Sequence, residues 1–178
     1  MSAKPTILLL LWQQYTENAS KALAARCRRI HINEYGVDDS TVDSGLFGVF
    51  RGTLGPQPWK LKNIAFLRLF ARGLSHKEGV DFGTALRNIK QANGKEEGRN
   101  RRVHALINQS DRDGFLQALN RLIPLDRDSH MEVDLDKLSR DLDGLDGLND
   151  FDRDGIKLKW LASFYNPPSN PPTPSDKA

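Results

Sequence analysis

Apolar residues recur at helical spacing along most of this chain, roughly every third or fourth position. The spacing predicts α-helices over 6–17, 20–31, 61–74, 82–91 and 156–165, two more within 99–123, and one that starts near Asp134. Residues 36–58 are rich in Gly, Asp, Ser and Pro, which predicts a loop with a short helix around 46–50. No segment alternates apolar and polar residues for long enough to require a strand. We therefore expect an all-α helical bundle.

The same spacing indicates which side chains face the core. The inward positions of the first two helices are Leu8, Leu11, Trp12, Tyr15, Leu23, Cys27 and Ile30. The helix over 61–74 is apolar around most of its circumference, which predicts that it is buried, with Gly73 at its end. In the last helix, Trp160 and Phe164 supply the large core side chains.

The polar segment NGKEEG, residues 93–98, predicts a surface loop and the best internal boundary. The fold is therefore either one compact bundle or two small helical domains, and we predict two, an N-terminal one over 1–94 and a C-terminal one over 95–166. The remaining residues, 167–178, follow the last helix and hold five of the nine prolines. Such a segment cannot build a core, so we predict that it is disordered.

Charge is distributed unevenly along the chain, although the net charge is only +3. Residues 1–125 contain 19 Lys and Arg against 11 Asp and Glu, whereas residues 126–178 contain 7 against 12. A basic body with an acidic end indicates a polyanionic partner, and chance segregation of charge on solvated surfaces is the alternative.

The single cysteine and the lack of long apolar stretches indicate where in the cell the protein is expected. Cys27 cannot form an internal disulfide, which favours a reducing, cytoplasmic location, and its helical position favours an inert core thiol. The apolar run 7–12 is short and lacks a cleavage site, so we do not interpret it as a signal peptide. No segment approaches the roughly 20 apolar residues that span a bilayer, so we expect a soluble protein with no membrane partner.

The richest candidate chemistry lies in residues 99–123, which predict two amphipathic helices with outward cations. Arg101 points away from the apolar stripe of the first helix, and Arg121 away from that of the second. Ser110, followed by Asp113, is typical of a capping box at the start of the second helix. Fixed guanidinium groups on one segment suggest a phosphate-binding surface. For Arg26, Arg99 and Arg112, which lie near the apolar stripes, a role in bracing the fold stays equally open.

The order of several motifs resembles the CasB family, the small subunit of the type I-E CRISPR surveillance complex called Cascade. The motifs are Trp12-Gln13-Gln14, Arg28-Arg29, Trp59 before a buried helix, FGTALRN at 82–88, GRNRRVHALINQSDRDGFLQALNRLI at 98–123 and WLASFY at 160–165. The chain departs from the family pattern in the longer, acidic loop at 93–98 and in DGLDGL at 143–148.

The resemblance implies an all-helical, non-enzymatic subunit that acts in antiviral defence. It implies as partners the other Cascade subunits, a second copy of the chain, guide RNA and target DNA, with no cofactor and no small-molecule substrate. Its implied role is to bind the nucleic-acid backbone without sequence preference and to stabilise the R-loop. The resemblance and the charge pattern together give the candidate nucleic-acid contacts Arg28, Arg29, Lys60, Lys62, Arg99, Arg101, Arg102, Arg112 and Arg121.

One competing motif suggests a different function, a free-standing helical adaptor or calcium-responsive module. DFDRDG at 150–155 matches the first half of an EF-hand loop. The twelfth position of that loop, which needs a bidentate Glu, is Leu161. Aspartates at the start of a helix explain the motif better. The four histidines are scattered, and no nucleophile motif is evident, so we predict neither a metal site nor catalytic residues.

Overall fold

The computed structural model describes residues 4–89, 96–123, 130–146 and 150–166, and within these ranges the chain is mostly helical. Its α-helices are α1 (Ile7–Glu17), α2 (Lys21–Arg29), α3 (Leu46–Val49), α4 (Pro58–Leu61), α5 (Ile64–Ala71), α6 (Phe82–Asn88), α7 (Glu96–Ile107), α8 (Arg112–Leu122), α9 (Leu135–Leu145) and α10 (Asp150–Tyr165). The described part of the chain also contains one 3₁₀ turn, Asp39–Thr41. The helical content confirms the main expectation from the sequence.

The expectation of a purely α fold is wrong, because the described residues include four short strands in two pairs. Strands β1 (His31–Asn33) and β2 (Gly36–Asp38) form an antiparallel hairpin. Strands β3 (Leu74–His76) and β4 (Met131–Val133) pair in parallel. Each strand has three residues, too few to show an alternating pattern, so hydrophobic periodicity could not reveal them.

Side-chain caps fix where several helices begin. Ser20 caps α2, and Asp81 caps α6, each by accepting a hydrogen bond from the backbone N–H three residues later, at 3.0 and 3.2 Å. The predicted cap at Ser110 is wrong, because Asp111 caps α8 and accepts from the Gly114 N–H at 2.7 Å. An aspartate one residue closer to the helix satisfies the same free amides.

Several predicted helix boundaries shift. Helix α2 ends at Arg29 rather than at residue 31, since His31 enters β1. The segment predicted as one helix over 61–74 is divided between α4 and α5, and Gly73, with φ of 112°, turns the chain into β3. Helix α7 begins at Glu96, so 96–98 is helical and not a loop. The predicted turn at 124–129 and the tail at 167–178 lie outside the described residues.

The core is organised around α5. Every residue of this helix except Arg68 is buried, as its all-round apolar pattern predicts. Helices α1 and α2 pack against it, while α6 packs against α10. Around that second contact, the rings of Phe82 and Trp160 lie 4.6 Å apart between centroids, and Phe115 of α8 lies within 5.6 Å of both. The cluster joins three helices that are distant in sequence.

Elements from both sides of residue 95 contact each other. The β3–β4 pair joins residues 74–76 to 131–133. At the start of α1, the backbone N–H and the hydroxyl of Thr6 both donate to Asp136 Oδ1, at 2.8 and 2.7 Å. The proposed domain boundary itself lies in residues outside the described ranges, so the division into 1–94 and 95–166 stays a prediction.

Cys27 lies in the core and has no exposed surface. Burial raises the pKa of its thiol to about 12. A thiol with such a pKa holds its proton at neutral pH, which agrees with the interpretation of an inert core residue.

Asp134 makes a testable contribution to stability at the start of α9. Its Oδ1 accepts from the N–H groups of Asp136 and Lys137, and its Oδ2 from the N–H of Gly79 at 3.0 Å. Burial works to raise the pKa of Asp134, but the hydrogen bonds from Gly79 and Lys137 and the charges of Lys137 and His76 lower it overall. The carboxylate therefore stabilises the fold above the unfolded-state pKa of about 3.9, and this stabilisation is lost as the pH falls through the lower folded-state pKa.

Asp134→Ala is expected to reduce the free energy of unfolding by about 1–2 kcal/mol at pH 7, because it removes a helix cap. Asp134→Asn retains a capping oxygen and is expected to lose less. Urea unfolding at pH 7 and below the folded-state pKa measures both. At the lower pH the wild type loses its advantage over Asp134→Asn; an advantage that is independent of pH would contradict the charge-based account.

Candidate nucleic-acid interface

Arg101 and Arg102 lie on the solvent side of α7. The opposite face of this helix buries Val103, Leu106 and Ile107, so the helix is fixed by its apolar stripe. The Arg101 side chain is 83% exposed, and its one ion pair with a described residue is with Glu97 at 3.9 Å, within the same helix. Exposed pairs of this kind contribute little. Arg102 is also exposed and makes no ion pair with any described residue.

Arg121 and Arg29 are exposed at the C-terminal ends of two further helices. Helix α8 is anchored by buried Phe115, Leu116 and Leu119, which turn Arg121 outward. Arg29 is the last residue of α2 and follows the buried Cys27 by two positions. Within the described ranges neither guanidinium has a carboxylate partner. A cation at the C-terminal end of a helix also complements the helix dipole.

Arg28 is exposed but partly fixed in place. Its Nε donates to the carbonyl of Ala71 at 3.0 Å, which attaches the end of α2 to the end of α5. The terminal nitrogens of Arg28 make no hydrogen bond with the described residues. They are therefore available to an anion while the stem is held by the fold.

Two of the predicted contacts, Lys62 and Arg112, are instead joined in an ion-pair cluster with the end of α9. Lys62 Nζ lies 3.2 Å from Asp143 Oδ1 and 3.1 Å from Asp146 Oδ2. Arg112 donates to Asp146 at 3.1 Å and to Asn63 Oδ1 at 3.2 Å, and only 10% of its side chain is exposed. Arg112 therefore contacts Asp146 and Asn63 as the bracing alternative predicts, and its contact with nucleic acid stays a prediction.

Three other basic residues also serve the fold. Arg99 donates to the carbonyl of Arg87 at 3.1 Å and lies over the Phe164 ring at 5.6 Å. Lys60 donates to the carbonyl of Gly52 at 3.0 Å. Arg26 pairs with Asp43 at 3.4 Å. Among the nine predicted contacts, the structure therefore leaves five at the surface with guanidinium nitrogens exposed, and we call these the exposed arginines: Arg28, Arg29, Arg101, Arg102 and Arg121.

Sequence reasoning missed two cations, Arg68 in the buried helix α5 and Arg72 directly after it. Arg68 donates through Nε to Asn120 Oδ1 at 2.9 Å and through Nη1 to the carbonyls of Arg28 and Ile30. Arg72 donates to Asn120 Oδ1 at 3.1 Å and to the carbonyl of Ile123 at 2.7 Å. Their spacing of four residues, on one face of an otherwise apolar helix, was the available signal.

The polar network of Arg68 and Arg72 brings the C-terminal ends of α2 and α8 together, and with them the exposed arginines of both helices. Burial lowers the pKa of Arg68, and burial together with the charge of Arg68 lowers that of Arg72. Their hydrogen-bond partners among the described residues are neutral oxygens, so the network carries positive charge that no described carboxylate neutralises.

The competing EF-hand interpretation of 150–155 does not fit the backbone. These residues form the first turns of α10, which extends six residues earlier than predicted. A helical backbone cannot wrap successive side-chain oxygens around one calcium ion as an EF-hand loop does. Among the described residues, no three His, Cys, Asp or Glu side chains lie together in a way that could hold a metal ion. His104, near the arginines of α7, hydrogen-bonds the Tyr165 hydroxyl at 2.6 Å.

The fold and the charge layout define a small, mostly helical protein that presents several arginines at its surface. Comparison with family models identifies it further: the chain belongs to the family described as CRISPR-associated protein Cse2 (CRISPR_cse2), whose model matches residues 25–165. This match confirms the resemblance to the small subunit of type I-E Cascade. No curated protein and no solved structure matches the chain significantly. None of the described helices is long and apolar enough to cross a membrane.

Proposed function

We propose that this Cascade subunit binds the phosphate backbone of nucleic acid through the exposed arginines and so stabilises the R-loop formed by guide RNA and target DNA. Its proposed partners are that guide RNA and target DNA, the other Cascade subunits and a second copy of the chain. The protein acts without catalysis and in the cytoplasm.

The observation that supports this proposal is where the exposed arginines lie and how few carboxylates they contact among the described residues. Each projects from a helix whose opposite side is buried, and within the described ranges the closest carboxylate contact is the 3.9 Å pair of Arg101 and Glu97. Asp146, which lies beside the start of α8, pairs with Lys62 and Arg112 instead. The helices therefore hold these cations in position, and apart from the Arg101–Glu97 pair no described carboxylate neutralises them.

Contacts of this kind are expected to recognise the phosphate backbone of the nucleic acid and not its base sequence. Arginine forks grip phosphate oxygens in pairs, and each neutralised phosphate releases condensed counterions. Exchange of a DNA duplex for a guide–target heteroduplex is close to energetically balanced, so modest backbone contacts are enough to favour the open state. Base recognition is left to guide pairing.

A salt series tests the proposal directly. The purified full chain is titrated against labelled single- and double-stranded DNA of unrelated sequences, with calcium and with chelator. Five phosphate contacts would make the logarithm of the affinity fall against the logarithm of salt with a slope of roughly −4.5 on duplex DNA. We expect this slope to be the same for every sequence and unaffected by calcium.

Two outcomes would contradict the proposal. Absence of binding at low salt would mean that the exposed arginines of the isolated chain form no phosphate-binding surface. Binding that depends on calcium would favour the adaptor function through 150–155 instead.

A further inference from the structure

A cavity of about 680 Å³ opens between α1, α2 and α5, beside the network of Arg68 and Arg72. Its volume lies in the range of about 300–1,000 Å³ that is usual for small-molecule sites. Two kinds of side chain in its wall matter for binding: the guanidinium groups of Arg28, Arg68 and Arg72, and the aromatic rings of Trp12, Tyr15 and Phe70.

Among the described residues, the cationic side of this cavity has no counter-charge. None of the described residues that line it is an Asp or a Glu. Among the described residues, Arg68 and Arg72 contact only amide and carbonyl oxygens, so their charge is not neutralised there. Desolvated cations are costly unless they are paired, so an anion in the cavity would be bound favourably.

The aromatic side is held rigidly. The Tyr15 ring packs against Phe70 with centroids 5.8 Å apart, and the Trp12 ring packs against His76 at 5.5 Å. Both residues are half-buried, so part of each side chain remains accessible from the cavity. An anion that carries no ring would leave this wall without a partner, whereas a planar aromatic group would cover it.

A second cavity, of about 610 Å³, shares Tyr15 and Arg28 with the first and adds Lys21. The two cavities therefore have one aromatic ring and one guanidinium in common, and Lys21 adds a further cation to the lining of the second.

We propose that the cavity between α1, α2 and α5 is a nucleotide pocket, in which Arg28 and Arg72 bind a phosphate and the base lies against Tyr15. The shared chemistry is an aromatic base that carries phosphate, supplied either by a free nucleotide or by an unpaired nucleotide of a strand. The pocket uses Tyr15 and Arg72, which the proposed backbone contacts do not involve.

Calorimetric titration of the full chain tests this pocket. The probes are AMP, adenosine, inorganic phosphate and a short single-stranded oligonucleotide, with a duplex for comparison. We expect AMP or the oligonucleotide to bind more tightly than adenosine or phosphate. Tyr15→Leu is expected to weaken that binding at least five-fold by removing the stacking surface, and Arg28→Gln by removing the charge.

Matched variants and the two sources of nucleotide make the test decisive. Tyr35→Leu removes an 85% exposed tyrosine outside the pocket and is expected to change nothing. Binding of AMP identifies a free nucleotide as a ligand, and binding of the oligonucleotide alone, weakened by Tyr15→Leu, identifies an unpaired strand. Equal binding of phosphate and AMP, or insensitivity to Tyr15→Leu in a folded variant, would overturn the nucleotide pocket. Those results leave the salt-dependent duplex binding intact, so the two proposals fail separately.

Discussion

Replacing Gly83 with alanine is expected to destabilise the protein by about 3 kcal/mol, because α6 and α10 cross at this residue without room for a side chain. A Cβ at this position would lie 2.1 Å from the Trp160 carbonyl oxygen and 3.0 Å from the Phe164 nitrogen. Both are backbone atoms, so relief requires the two helices to move apart. Separation would also open the Phe82–Trp160 contact, and overpacking of a core typically costs about 1–3 kcal/mol.

Gly98→Ala is the matched control, since this glycine is also helical and no described atom lies within 4 Å of the place a Cβ would occupy. It is expected to leave stability unchanged or raise it by up to about 1 kcal/mol, because alanine favours a helix. Urea unfolding of the two variants measures the difference. If Gly83→Ala unfolds at the same urea concentration as Gly98→Ala, the close helix crossing is wrong.

The helices could be predicted from the sequence because their evidence is local. A buried face repeats every three or four residues, so α1, α2 and α5 are visible from Leu8, Leu23 and their neighbours alone. The β3–β4 pair could not be predicted in this way. Leu74 and Met131 pair across more than fifty residues, and three-residue strands contain too little pattern to reveal the partner.

The candidate nucleic-acid interface could also be predicted only in part from the sequence. Helical periodicity placed Arg101 and Arg121 on solvent faces, where the structure has them. It could not decide between phosphate binding and bracing for Arg112, because the answer depends on Asp146, which follows a helix remote in sequence. The pair of Arg68 and Arg72 was missed for the same reason: Asn120, which accepts from both, lies about fifty positions away.

Charge reversal at Arg101 and Arg102 is expected to reduce the affinity for DNA more than ten-fold at moderate salt. The double variant Arg101→Glu/Arg102→Glu removes two proposed phosphate contacts and places two anions beside the backbone. The salt dependence should become shallower by about 1.8 in slope on duplex DNA, since each lost contact removes about 0.9. Both side chains are exposed on α7, so the expected cost in folding stability is only a few tenths of a kcal/mol, mainly from a new Glu–Glu97 repulsion.

The matched control for this reversal is Arg140→Glu/Lys159→Glu, which changes the net charge equally on α9 and α10. In the wild type, Arg140 lies 3.8 Å from Asp136 and Lys159 lies 3.5 Å from Asp141, so neither is among the proposed phosphate contacts. If both double variants lose affinity equally, only net charge matters and the assignment to α7 is wrong. If only the α7 variant loses affinity, with a shallower salt slope, then position and not total charge determines binding. The same comparison in an assembled Cascade extends the argument to the R-loop, whose lifetime should shorten with the α7 variant alone.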